Sequence, residues 1–431
     1  MRHLKLTGLL LATTAGLGLG LATAAMADTT LSFLHKWPEP ENMAYFEAAV
    51  AEFEAANPDI KVEMEAVADE PYKDKIRVLM GSNEVPDIFF SWSGEFGKNF
   101  ARNGRALDIT DAVYGSDWKE AFPEAALQPF KYQDRLYGVP INVDAKFMLY
   151  NKQIFADNGI DVPQTYGDFF AACQTLKEAG YEPIAFGNQY PWAASHYIGE
   201  LNAKLVPNDQ RLADYELLSD PETLYTHPGY ERALEEFQKL NDEGCFNRGS
   251  NALTHSIARG SFLAGRNPMM YMELVEFTQI TPESPLGQAG WGFFPLPPIE
   301  GGEGEAGLLT GAPDGFMISA STENAEEAIR FLQFLTSPEQ AQKYVDITGM
   351  TSSVNGSVTP ENASAQAIEG LEAIDAATGL ALWLDTDMDA RSTEVLLAGS
   401  QALLNGTDTP EAIMERVRET ALAVQKERGN N

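Results

Sequence analysis

Residues 60–67, Ile-Lys-Val-Glu-Met-Glu-Ala-Val, alternate apolar and polar side chains over eight positions, the period of a strand with one buried face. Just before them Tyr45, Phe46, Ala49, Val50 and Phe53 form a helical stripe that stops at Asn57-Pro58. Earlier still, Thr29 to Leu34 alternates like a first strand. Strand, helix and strand in this order form a βαβ unit, because two strands lie parallel only if a long crossover returns the chain to the same end of the sheet. The fold class is therefore α/β, and the carboxyl ends of the strands become the places to look for a ligand.

The alternation of elements continues. Tyr72 to Met80 reads as a helix stopped by Gly81, and Pro86 to Trp92 as a short buried strand leading into the polar turn Ser93-Gly94-Glu95. Tyr166 to Ala179, Tyr230 to Asn241 and Ala325 to Leu335 read as helices; Pro183 to Phe186, Pro268 to Glu273 and Gly315 to Ser319 read as strands. Leu136 to Lys152 stands apart. Its first part enters a turn at Pro140, which cannot donate to a ladder, and Val143, Phe147, Leu149 and Tyr150 then form a second apolar run. Taken alone, the stretch reads as a hairpin within one domain, with a crossing between two lobes as the alternative. Gly301 to Gly307 is acidic and glycine-rich, and a mobile loop is expected there.

Arg2 and Lys5 precede a small, apolar run from Leu6 to Ala24 and then Ala25-Met26-Ala27, the charged start, apolar centre and cleavage site of a secretory leader. Residues 1–27 are expected to be removed, leaving Asp28 first, and no cysteine follows the cleavage site to carry a lipid. No later stretch holds eighteen uninterrupted apolar residues, so a soluble periplasmic protein is expected, without membrane insertion. Lys and Arg number 30 against 63 Asp and Glu, a net charge of −33 that loss of Arg2 and Lys5 makes more negative. Such a surface repels nucleic acid and anionic lipid. Roughly 400 mature residues point to at least two domains of about 100–200 residues. Cys173 and Cys245 are the only cysteines, and an oxidising compartment leaves a disulfide between them open.

The catalytic and cofactor motifs are poor. Gly302, Gly304 and Gly307 have dinucleotide spacing but sit among Glu300, Glu303 and Glu305 and lead into no helix, so carboxylates would repel a pyrophosphate. Asp385, Asp387 and Asp389 resemble half a calcium loop, with Ala390 where the turn needs Gly and Leu396 where a bidentate Glu is needed. The five histidines form no metal-binding pair, and no nucleophile elbow occurs. No cofactor and no catalytic residue are assigned.

What recurs is an aromatic ring beside amides or carboxylates in a loop after a strand: Trp37, Trp92 with Glu95, Asn142 with Asp144, Asn188 with Trp192, and Trp383 with Asp385. Sugars present flat C–H faces and hydroxyl rims, so a site for them needs aromatic platforms and bidentate polar groups between them. No clustered Lys/Arg set is visible in the sequence, which argues against a polyanionic ligand.

At this point the chain resembles the extracellular solute-binding proteins of family 1, the sugar-binding components of ABC importers related to maltose-binding protein. The segments that carry the resemblance are FEAANPDIKVEME at 53–65, GSNEVPDIFF at 81–90, LYGVPINVDAKFMLYNK at 136–152, FLAGRNPMMYMEL at 262–274, WGFFPLPPIEGG at 291–302 and NAEEAIRFLQFLTSPEQAQKYVDITGMTSS at 324–353. The resemblance implies a type II periplasmic-binding-protein fold of two α/β lobes, each a mainly parallel sheet flanked by helices, joined by hinge crossings. Lobes of 28–141 plus 289–336 and of 142–288 plus 337–431 are expected. It implies a monomer that closes on a carbohydrate and docks on the permease subunits of the importer. Its contact segments fall here on His35 and Trp37; on Ser91, Trp92 and Glu95; on Asn142 and Asp144; on Glu273; and on Gly311 to Asp314. The family often has a Trp just after the position of Glu273, where this chain has Leu274, so Trp192 or Trp383 is expected to supply the missing platform. A binding protein for a polyol or other small solute, and a secreted glycoside hydrolase, stand as alternatives.

Overall fold

The computed structural model describes residues 29–82 and 84–429. The expected leader, 1–27, and the expected first mature residue, Asp28, lie outside the described residues. Eleven strands are present among them: β1 (Thr29–His35), β2 (Ile60–Ala66), β3 (Ile88–Trp92), β4 (Lys131–Tyr132), β5 (Arg135–Leu136), β6 (Gly138–Asn151), β7 (Ile184–Ala185), β8 (Met269–Glu273), β9 (Trp291–Phe294), β10 (Leu308–Ile318) and β11 (Gly379–Ala381). No helix among the described residues is long and apolar enough to cross a membrane.

The first βαβ unit forms as its periodicity dictates. Helix Pro40–Ala56 joins β1 to β2, which pair in parallel, and β3 pairs in parallel with β1 on the other side. The main sheet then runs β2-β1-β3-β10-β6-β8-β7, with β9 on β6 and β11 on β10. Strand β7 is parallel to β8, so parallel pairing recurs at the far end. Between the two ends lie the long strands β6 and β10, antiparallel to each other and to their neighbours β3, β8 and β9.

Strand β6 explains the stretch that stood apart. It is one continuous strand of 14 residues, not a turn followed by a second strand. Pro140 is accommodated where the β6–β10 register slips, between Asp314 and Gly315, a bulge that spares the missing donor. Up to Ala145 β6 pairs with β10; from Lys146 it pairs with β8 and β9. Its side chains change partners at the same place. Val139 and Ile141 belong to one apolar cluster, with Phe33, Phe46, Phe90 and Phe316, whereas Phe147 and Leu149 belong to another, with Met270 and Phe262. Strand β10 crosses likewise, from Leu309 in the second to Phe316 in the first.

Two groups of residues pack across the expected lobe bounds. Ala341, Tyr344, Met350 and Val354, expected in the second lobe, pack with the first core, where the Tyr344 ring lies 5.1 Å from Tyr45. Trp291, Phe294 and Leu296, expected in the first, pack with β6 beyond its crossing point. The loop 301–307 also departs from expectation. Gly304 and Glu305 donate backbone N–H bonds to the Lys204 and Ala203 carbonyls at the end of helix Trp192–Leu205, and a Cβ at Gly302 or Gly304 would overlap the backbone there. Its glycines permit a close approach; they do not make a free loop. Cys173 and Cys245 are both buried and unbridged, in the further core around Met148 and Phe294.

His35 sits inside the first core, fully buried, with its ring centroid 4.4 Å from Phe46 and 5.4 Å from Phe33. Nδ1 accepts from the Trp37 N–H at 3.3 Å, and Nε2 has no partner among the described residues. Burial pushes its pKa down to about 4. The folded state therefore binds this proton less readily than the unfolded chain, so the stability His35 supports is full above pH 6.5 and is lost as pH falls from 6.5 towards 4. Against a His35→Gln variant, which keeps an acceptor for Trp37, the wild type is expected to lose about 2 kcal/mol of relative stability between pH 8 and pH 5. Urea denaturation of both proteins at each pH measures it; a pH-independent difference would contradict a buried neutral imidazole.

Candidate functional site

A cavity of about 260 Å³ opens where the two cores meet, beyond the ends of β1, β3 and β8 and beside the crossing segments of β6 and β10. Strand period explains which residues reach it. Successive side chains point to opposite faces, so His35 and Trp37 enter the core while Lys36 lines the cavity, and Ser91 is buried while Trp92 lines it.

Three carboxylates come from the crossing strands and β8: Asp144, Glu273 and Asp314. Burial raises all three pKa values, and Glu273 raises those of Asp144 and Asp314 further. The Asp144 carboxyl is held well above its usual range by burial and then by Glu273 and Asp314, and Glu273 is raised by burial and by Glu276. Asp314 is pushed up to about 6 by burial, opposed by Lys36. Asp144 accepts the Val275 N–H at 3.3 Å. Asp314 Oδ2 faces Lys36 Nζ at 3.3 Å, while its buried Oδ1 has no hydrogen-bond partner among the described residues.

Three lysines and an arginine, distant in sequence, gather around these acids, each with a carboxylate partner. Lys36 lies 3.2 Å from Asp69, and burial is outweighed by Asp314 and Asp69, which hold its ammonium above the ordinary value. Lys73 pairs with Asp385 at 2.9 Å. Arg259 and His255 both bond Glu276, the histidine at 2.8 Å. Against the effect of burial, these two partners and Lys146 hold Glu276 well below the usual carboxylate range. Lys146, almost wholly buried, lies 3.6 Å from Glu273 and donates to the Tyr271 carbonyl. No local pattern signals this clustering, because the cations arrive from separate parts of the chain.

Three tryptophans complete the lining. Trp92 has the ammonium groups of Lys36 and Lys73 at 4.7 and 4.9 Å from its ring centroid. Trp383 stacks on His196 at 4.4 Å. Trp192 is only half-buried and lies 4.8 Å from the His255 ring and 5.3 Å from His196. Burial keeps His196 neutral, with a pKa down to about 4.

Of the residues expected from the sequence, Trp92, Asp144, Trp192, Glu273, Asp314 and Trp383 line this one cavity. The others do not. His35 and Trp37 are core rings, and Ser91 donates to the Trp92 carbonyl. Glu95 is held by Arg102 and Arg428 along a different groove. Asn188 bonds Asn251. Asn142 accepts the Asp314 N–H at 3.3 Å, and Gly311 lies so close to the Asp144 carbonyl that a side chain would collide with it. Both shape the strands that present the acids. Missed were Lys36, Lys73, His196, His255, Arg259 and Glu276. Asp385 was visible only as the neighbour of Trp383 and as one member of a poor calcium-loop match.

Among the described residues no group of three or more His, Cys, Asp or Glu side chains is placed to hold a metal ion. Asp385 is engaged by Lys73, and Asp389 caps helix Ala390–Leu404 through the Arg391 and Ser392 N–H groups.

A family model described as bacterial extracellular solute-binding protein matches residues 36–342. The multiple sugar-binding protein of Streptococcus mutans is 25% identical over 333 residues, 76% of each chain. A solved chitin oligosaccharide binding protein superposes with a TM-score of 0.83 at 23% identity, covering 92% of this chain and 99% of that one. A chain from a study of xylan utilization by the thermophilic bacterium Caldanaerobius polysaccharolyticus gives 0.82 at 21% identity, over 91% and 99%. Both structures share the two-lobed fold.

Proposed function

Because the chain belongs to the bacterial extracellular solute-binding protein family, we propose that the cavity captures a sugar or oligosaccharide for an ABC importer. The observation that carries this reading is the set of three tryptophans interleaved with paired charges around one cavity between two cores. Rings offer flat apolar faces to C–H groups, and the carboxylates and cations offer bidentate partners to hydroxyls. One lobe is centred on 29–144 and 311–354, the other on 145–309 and 384–429, and β6 and β10 are the hinges. Closure completes the site, since only then do Trp92 and Trp192 face the same solute, and the ligand shifts the equilibrium by its preference for the closed form. The protein acts as a periplasmic monomer that hands its cargo to permease subunits; no bond in the solute is broken.

A thermal-shift screen across sugars, polyols and amino acids tests the reading, since a ligand raises the melting temperature by mass action. A sugar is expected to give the largest shift and to compact the protein in solution scattering. Trp192→Ala is expected to weaken that sugar about tenfold by calorimetry, with the melting temperature of the free protein little changed. Turnover of glycosides, or shifts confined to polyols or amino acids, would overturn it.

A further inference from the structure

The charges around the cavity do not balance. Seven carboxylates line it, on Glu39, Asp69, Asp144, Glu273, Glu276, Asp314 and Asp385, against the Lys or Arg side chains of Lys36, Lys73 and Arg259, with Lys146 behind Glu273. The cations are already engaged by Asp69, Asp314, Asp385 and Glu276. What is left over is concentrated in one place. Asp144 accepts one backbone N–H and pairs with no Lys or Arg among the described residues; Asp314 lines the same cavity and keeps its Oδ1 buried and without a hydrogen-bond partner among the described residues; Glu273 lines it as well. Only about 4% of Asp144 and 6% of Asp314 is exposed.

We propose that the solute selected by this cleft carries a protonated amine, as an amino sugar does, and that Asp144, Asp314 and Glu273 receive its ammonium group while Trp192 takes its apolar face. The inference rests on the sugar-capture reading and narrows it. An ammonium brings three N–H donors and a positive charge, so it satisfies several carboxylates at once and offsets their burial as the cleft closes. A neutral hydroxyl supplies one donor and no charge, and leaves the carboxylates facing one another in a desolvated space. Burial raises the proton affinity of all three acids, and the Glu273 carboxylate adds to it at Asp144 and Asp314. The half-buried Trp192 ring, with Lys146 at 5.2 Å from its centroid, is already a surface on which a cation settles.

The test uses matched sugars that differ at one substituent: glucosamine against glucose, galactosamine against galactose, and the β-linked glucosamine disaccharide against cellobiose, each also as its N-acetyl form. Calorimetry on the mature protein is expected to show at least one free amine binding about tenfold more tightly than both its hydroxyl and its N-acetyl counterpart, with the advantage shrinking at high salt. Asp314→Asn and Asp144→Asn are each expected to reduce that preference about tenfold, circular dichroism and urea midpoints confirming that the variants fold. Neutral members binding as well as the amines would overturn the proposal and leave sugar capture standing. A preference that survives in both variants would overturn the assignment to these carboxylates. If no member of any pair binds, while amino acids or linear polyamines do, the sugar reading falls with it.

Discussion

Asparagine in place of Asp385 is expected to weaken solute capture about a hundredfold, roughly 3 kcal/mol, the lower end of what removal of one partner from a buried ion pair costs. Asp385 lies in a short helix, Leu384–Asp387, and Leu384 and Met388 near it belong to the core around Met148 and Phe294. Its partner Lys73 lies on helix Asp69–Met80, whose Tyr72, Ile76 and Met80 belong to the first. The 2.9 Å pair therefore ties one lobe to the other across the cleft, and Ser195 Oγ at 3.1 Å and His196 Nε2 at 3.6 Å face the same carboxylate. Lys73 and His196 hold Asp385 well below the usual carboxylate range despite its burial. In the open form water solvates both charges, so the substitution burdens the closed form alone and shows up as lost affinity, with little change in the melting temperature of the free protein. Calorimetry gives the affinity and solution scattering the compaction. Unchanged affinity with unchanged compaction would mean that this pair does not hold the cleft shut.

The sequence made the scaffold legible where one face of an element is buried and the other wet. The β1–helix–β2 unit, helix Ala325–Leu335 and β3 lie where their periodicity puts them. Helix Trp192–Leu205 had no such signature. Every residue from Ala193 to Leu205 is buried, so it shows no amphipathic stripe, and Trp192 looked like the tip of a loop when it is the first residue of that helix. His196, which backs Trp383, was hidden for the same reason. The site shows a second limit. Aromatic residues near strand ends were found readily, but the one-residue alternation that sends Trp37 inward and Lys36 to the cavity depends on where β1 ends, which sequence alone leaves uncertain by a residue or two. Pairings such as Arg259 with Glu276 belong to tertiary structure and leave no local trace.

Lys204→Met is expected to cost about 3–5 kcal/mol of folding stability, the largest effect foreseen for a residue away from the cavity. Lys204 and Glu200 are a turn apart on helix Trp192–Leu205, their side chains 1% exposed, and Nζ lies 2.9 Å from Glu200 Oε1. The pair does more than neutralise itself. Glu200 Oε2 accepts the Thr310 N–H at 2.5 Å, and Lys204 Nζ donates to the Ala306 and Leu308 carbonyls at 3.1 and 3.3 Å. It thus docks the start of β10, one of the two crossing strands, and the loop 301–307 onto this helix. Methionine fills the volume but strands a buried carboxylate and two carbonyls, and the cost falls on the unpaired charge. Adding Glu200→Gln removes that charge and keeps an oxygen for Thr310, so the double variant is expected to recover more than half of the loss, a strong coupling in a double-mutant cycle. Urea denaturation of the four proteins measures it. If Lys204→Met alone loses less than about 1 kcal/mol, the carboxylate has found a proton or water on its own, and the hinge strand does not depend on this ion pair.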